Sequence, residues 1–277
     1  MNSMMRAIVV FALFLLPASV GAQPLVYVVT ASQQFGVVDL KTGAFQPIGD
    51  PAPEPLTSLV WGPDGSLLTL FGASGSLARI NPSTGATAIV GPTGLGSNAF
   101  SLAEVKGKLY LTDFSNNIYS VDSGTGAATL IRATGMPADP TTPFTFNEDG
   151  TFNLCDQTFY GVDGVLYATF DAFAFNPTPG PNFLAVKTKV APKLYRIDPS
   201  SGVATLVGRT DVQLAASVDV DDRFYAFRGV LTGFAGFPQA YSELLTLDLA
   251  TGGIGFLRTI DPAAGPIFGA APVRKLR

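Results

Sequence analysis

LYRIDPSSGVATLVG, running from Leu194 to Gly208, decides the fold. Its first half alternates apolar with other residues. Its centre, Asp198 to Gly202, supplies an Asx-type side-chain acceptor and a glycine suited to positive φ, and its second half is again apolar or β-branched. Such a phrase is a β-hairpin. Four sister copies occur: FGVVDLKTGAFQPIG from Phe35, LARINPSTGATAIVG from Leu77, IYSVDSGTGAATLIR from Ile118 and LLTLDLATGGIGFLR from Leu244. Their turns open at Asp39, Asn81, Asp122 and Asp248 and close at Gly43, Gly85, Gly126 and Gly252, residues assigned to structure rather than chemistry.

A second hairpin precedes four of the five copies: LVWGPDGSLLTLF from Leu59, LAEVKGKLYLTDF from Leu102, TFYGVDGVLYATF from Thr158 and ASVDVDDRFYAF from Ala216. Two tandem hairpins give four antiparallel strands, A to D, repeating every ~40 to 60 residues, which is a propeller blade. An all-β propeller is therefore expected. The first copy has a strand B, Leu25 to Thr30, but no strand A, whereas IFGAAPVR, Ile267 to Arg274, is a strand-like segment without a blade. Placing that segment innermost in the first blade gives five blades and leaves no long sheet edge open. A sixth, degenerate blade would have to lie between Pro137 and Phe152, which offers one short strand-like run.

At LYRIDPSSG from Leu194 and its sister copies, the chain resembles exported bacterial propeller repeat proteins of the quinoprotein-like, NHL-like and YVTN-like group. The resemblance covers nearly all of the chain beyond residue 22 and implies architecture alone.

The N-terminal segment argues for export. Arg6 precedes an apolar run from Ala7 to Leu16, followed by Pro17 and the small-residue site Val20-Gly21-Ala22. That layout predicts a signal peptide over residues 1–22, a single propeller domain over 23–277, and a secreted or periplasmic location. The run is about half the length of a bilayer-spanning helix, so no transmembrane anchor is expected. With apolar residues at 47% and charged residues at 14%, the chain can fill a core and has little material for a charged tail. Seventeen basic against 21 acidic residues, with no basic stripe, exclude nucleic acid as a partner. Cys155 is the one cysteine and reads as a buried small hydrophobe, so stability must come from packing and closure rather than disulfides.

No histidine occurs, which excludes Ser-His-Asp and Cys-His catalysis and His-rich metal sites. Carboxylate chemistry or calcium remains. The longest insertions are 133–150, 171–192 and 228–242, in D-to-A and B-to-C connections that share one face of a propeller, and variable segments on a rigid scaffold carry binding function. Strand ends on that face present Asp113, Asp156, Asp171 and Arg228, Asn116 and Asn117 follow in the third blade's loop, and Tyr241 lies in the last insertion. Their oxygens suit Ca²⁺, and the aromatic neighbours Phe173, Phe175, Phe234 and Phe237 suit a protein or carbohydrate ligand. Glu104 and Asp219 fall by the A-to-B turns on the opposite face and read as rim charges. The reading is a non-enzymatic binding module. The alternative is a carboxylate-dependent hydrolase, glycosidase-like or esterase-like, on the same face, with Asp113, Asp156 and Asp171 as the candidate carboxylates.

Overall fold

The computed structural model describes residues 24–113, 117–133, 145–146, 152–162, 165–175, 186–210, 212, 214–232 and 239–274, with backbone alone at 133, 145–146, 152–158, 170–175, 186–192, 231–232 and 239. The expected signal peptide, residues 1–22, lies outside the described residues, as does Asn116.

All five repeated turns close in one way. The side-chain oxygens of Asp39, Asn81, Asp122, Asp198 and Asp248 each accept the backbone N–H two residues on, at 2.7 to 2.9 Å. Each backbone carbonyl at these positions accepts the glycine N–H four residues on, at 2.8 Å. The five glycines have φ between 68° and 82°, a region closed to most side chains. The turn hydrogen bonds hold the carboxyls of Asp122, Asp198 and Asp248 below the usual 3.8.

These turns join strands into blades. The first contains β1 (Leu25–Thr30), β2 (Phe35–Asp39) and β3 (Phe45–Pro47). The second is β4 (Leu56–Trp61), β5 (Leu67–Phe71), β6 (Ser76–Ile80) and β7 (Thr87–Pro92). The third is β8 (Ala99–Val105), β9 (Lys108–Asp113), β10 (Asn117–Val121) and β11 (Ala128–Ala133). A short β12 (Thr145–Phe146) precedes the fourth, which is β13 (Phe152–Val162), β14 (Val165–Phe175), β15 (Val186–Ile197) and β16 (Ala204–Arg209). The fifth is β17 (Ala216–Val220), β18 (Arg223–Thr232), β19 (Gln239–Leu247) and β20 (Ile254–Thr259), and β21 (Ile267–Pro272) follows. The protein is a five-bladed β-propeller.

Closure follows the expected route: β21 pairs antiparallel with β1, Tyr27 opposite Ala271 and Val28 opposite Ala270, completing the first blade as β21-β1-β2-β3. The innermost strands touch in the cyclic order β21, β4, β8, β13, β17 and back to β21. Five buried apolar clusters fill the five interfaces between neighbouring blades, from blades one and two (Phe35, Leu56, Phe71) round to blades five and one (Val28, Phe227, Leu244). The turn glycines also dock blades. A Cβ on Gly126 would strike the Gly91 carbonyl of the preceding outer strand, one on Gly85 the Ile48 carbonyl, and one on Gly43 would lie 2.6 Å from the Thr259 carbonyl across the closing interface. The outer strands β7, β11, β16 and β20 each carry a bulge after an exposed apolar residue, Ile89, Leu130, Leu206 or Phe256, which twists the edge away from pairing.

The alternative of six blades falls, and one expectation changes. The strand-like run before Phe152 builds no sixth blade: Thr145 and Phe146 pair with Asn153 and Phe152, adding β12 to the fourth sheet. Insertions 171–192 and 228–242 are also not simply loops. β14 and β18 run 11 and 10 residues where β5 and β9 run 5 and 6. Pairing continues to Phe175 opposite Val186 and to Thr232 opposite Gln239, so Asp171 and Arg228 lie within ladders rather than at strand ends.

Candidate functional site

The B-to-C face begins with Asp113, the last residue of β9, which is 5% exposed. Its carboxylate accepts the Asn117 backbone N–H at 2.9 Å, the Asn117 side-chain amide at 2.9 Å and the Tyr119 hydroxyl at 2.8 Å. The structure thus brings Asp113 and Asn117 together and adds Tyr119, which sequence patterning had left in a strand. Burial first, and then the hydrogen bond and charge of Asp113, push the Tyr119 phenol up to about 12. These bonds fasten the β9–β10 connection, so this carboxylate already has a structural task.

In blade four, Asp156 and Asp171 are direct Cα partners in the β13–β14 ladder, Leu154 opposite Phe173 and Phe152 opposite Phe175 beyond them. In blade five, Arg228 forms a 2.6 Å ion pair with Glu243, its cross-strand partner on β19. Glu243 was not singled out from sequence, although a hairpin register carried one residue further on each strand, past Phe227 opposite Leu244, would have paired it with Arg228. Tyr241, half-buried, stands opposite Val230. Among the described residues, no group of three or more Asp, Glu, Cys or His side chains could hold a metal ion.

The opposite face is less bland than rim charges imply. A cavity of about 240 Å³ opens toward the A-to-B-turn end of the ring, lined by residues from all five innermost strands. Glu104 and Asp219 line it together with Trp61, Tyr160, Phe224 and Arg274. Trp61 is fixed there, its Nε1 donating to the Pro272 carbonyl at 2.8 Å while the Arg274 guanidinium lies over its ring, 4.9 Å from the centroid. Tyr160 is 6% exposed and stacks between Tyr167 and Phe224. Its hydroxyl has no hydrogen-bond partner among the described residues, and burial raises its phenol well above 10. A separate pocket of about 20 Å³ lies beside Ser58, Ser101 and Ser217 of the innermost strands.

Solved structures share this architecture. A chain in the crystal structure of a nidogen/laminin complex aligns with a TM-score of 0.52 at 10% identity, covering 90% of this chain and 98% of that one. A protein of unknown function from Bacteroides caccae aligns at 0.49 and 10% identity, covering 92% and 100%. In all, 430 solved chains match; the first of these likenesses shows the propeller fold and does not select among its uses. No protein-family model matches the sequence, and no curated protein matches it. Among the described residues, no helix is long and apolar enough to cross a membrane.

Proposed function

We propose that the chain is an exported, non-enzymatic binding module that takes a protein or carbohydrate ligand on the extended hairpins of blades four and five. One observation carries this. The turns at the other face are short in every blade, whereas β13, β14, β15, β18 and β19 run past the length that the ring uses elsewhere. About five extra residues per strand carry each ribbon ~15 Å beyond the shorter hairpins. Ring closure does not require that projection, and variable projections on a rigid scaffold are where recognition resides. Asp156, Asp171, Arg228 and Tyr241 all fall on these ribbons, with Asp113 and Asn117 on the neighbouring blade. The Arg6 and apolar-run pattern at the N-terminus supports export.

The test trims both ribbons where the register permits. Replacing 171–192 by Asn-Gly joins Phe170 to its partner Lys193, and replacing 230–241 by Asn-Gly joins Gly229 to Ser242. Melting temperatures of parent and trimmed chains are recorded with Ca²⁺, with a chelator and with soluble polysaccharides, because a ligand of the folded state raises the transition. A rise in the parent that vanishes on trimming supports the proposal. An equal rise in the trimmed ring contradicts it, as would ester or glycoside turnover that Asp156→Asn abolishes.

A further inference from the structure

One strand edge of the blade-five ribbon has no neighbouring strand among the described residues. We propose that this edge, the inner side of β18 at Gly229 and Leu231, takes an extended, uncharged segment of a partner protein as an added antiparallel strand, with an aromatic side chain of that segment set over Gly229. The proposal narrows the ribbon reading above and rests on it.

Hydrogen-bond parity identifies the open groups. The Ala215 N–H donates to the Phe227 carbonyl at 2.8 Å, so Phe227 turns its backbone groups toward β17, whose pairing ends with Ala216 opposite Phe227. Such groups alternate sides along a strand, so Gly229 and Leu231 turn theirs the same way, beyond the end of β17. Leu214, just before β17, packs instead into the apolar cluster between blades four and five. β18 itself stays paired with β19 to Thr232 opposite Gln239, and Gly229 is exposed. Blade four has what this edge lacks: there β13 accompanies β14 to Phe175, and β12 is added to β13 in turn.

Three further features set the chemistry of the incoming strand. The outer strands β7, β11, β16 and β20 carry bulges that oppose edge pairing, whereas the β18–β19 ladder runs from Tyr225 to Thr232 without one. No charged residue lies between Arg228 and Glu243, so charge does not guard the edge either, and an uncharged partner fits it. Gly229 weakens the strand without being needed by the fold. Its φ is not positive, and among the described residues a Cβ there would meet only the Pro266 side chain, at an ordinary 3.8 Å. An aromatic side chain on an adjacent strand covers a strand glycine; Ser242, its partner on β19, does not, which leaves that place to the incoming strand.

Backbone amide exchange read by NMR is the first test. In the unliganded protein Gly229 should exchange fast while Arg228 and Val230, turned toward β19, are protected. Equal protection at Gly229 would show the edge already filled and would overturn the proposal. Next, a fluorophore-labelled acetyl-Thr-Val-Thr-Val-Phe-amide, its Phe opposite Gly229, is titrated by anisotropy, and saturable binding is expected. N-methylation of the Phe, whose N–H faces β18, should weaken binding by about tenfold or more. N-methylation of the preceding Val, whose N–H faces away, should change it by less than about twofold. Gly229→Pro removes the edge donor without touching the β19 ladder and should weaken binding as the first methylation does, while the melting transition stays in place. If that variant fails to fold, the two methylated peptides on the parent protein decide. Equal effects of the two methylations would overturn the proposal. So would absence of saturation at millimolar peptide; a polysaccharide- or Ca²⁺-induced rise in melting temperature that still vanished on trimming would then leave the ribbon reading standing without strand addition.

Discussion

At the residue scale, the glycine of each repeated turn has two jobs that the structure separates. Gly65 and Gly126 share positive φ, at 79° and 82°, yet a Cβ on Gly65 meets nothing within 4 Å, whereas one on Gly126 meets the Gly91 backbone of the neighbouring blade. Gly65→Ala should therefore cost about 1 kcal/mol from backbone strain, and Gly126→Ala about 2 kcal/mol or more, read as urea midpoints. Equal costs would refute the docking role. The Asp113–Tyr119 bond makes a second residue-scale prediction. Because the folded-state phenol is raised to about 12 from an ordinary 10, its contribution to stability is complete below about pH 10 and is lost as pH rises through 12. Tyr119→Phe should make the alkaline fall in stability shallower, measured by urea unfolding at pH 9 and 11. Asp113→Ala should cost about 1 to 3 kcal/mol at neutral pH by leaving buried donors unmatched.

Among the elements, the C-to-D hairpins of the blades were legible because Asp-x-x-Thr-Gly encodes both an acceptor and a positive φ. The ribbons were harder to read. Gly, Pro and Phe in AFAFNPTPGPNF suggested a loop, although Ala172-Phe-Ala-Phe175 alternates with strand period and does pair as strand to Phe175. Breaker residues downstream masked a period that continued upstream. The wide channel mouth was not legible at all: Glu104 and Asp219 align in the repeat, but the nearness of Trp61 and Arg274 depends on β21 crossing from the far end of the chain. That crossing can be tested at one bond. Trp61 Nε1 ties β4 of blade two to the Pro272 carbonyl of β21, so Trp61→Phe should cost about 1 to 2 kcal/mol in urea unfolding. A neutral substitution would show that the indole does not fasten these strands.

For the whole molecule, five interfaces of similar construction hold the ring, and the one between blades five and one is as apolar as the others, with Val28, Phe227, Leu244 and Ile267 fully buried. The count of blades could be read from the repeat, and closure from a first blade lacking one strand and a final strand lacking a blade. The grouping of Trp61, Glu104, Asp219 and Arg274 around one cavity could not, because it depends on how the blades meet. The central claim is that β21 completes the first blade and shuts the ring. Its most direct test is the melting temperature of the chain without residues 267–277. Loss of buried Ile267 and Ala271, of the β1 ladder and of the Trp61 anchor amounts to several kcal/mol, so the transition should fall by about 10 °C or more, or lose cooperativity. An unchanged melting temperature would contradict closure by β21.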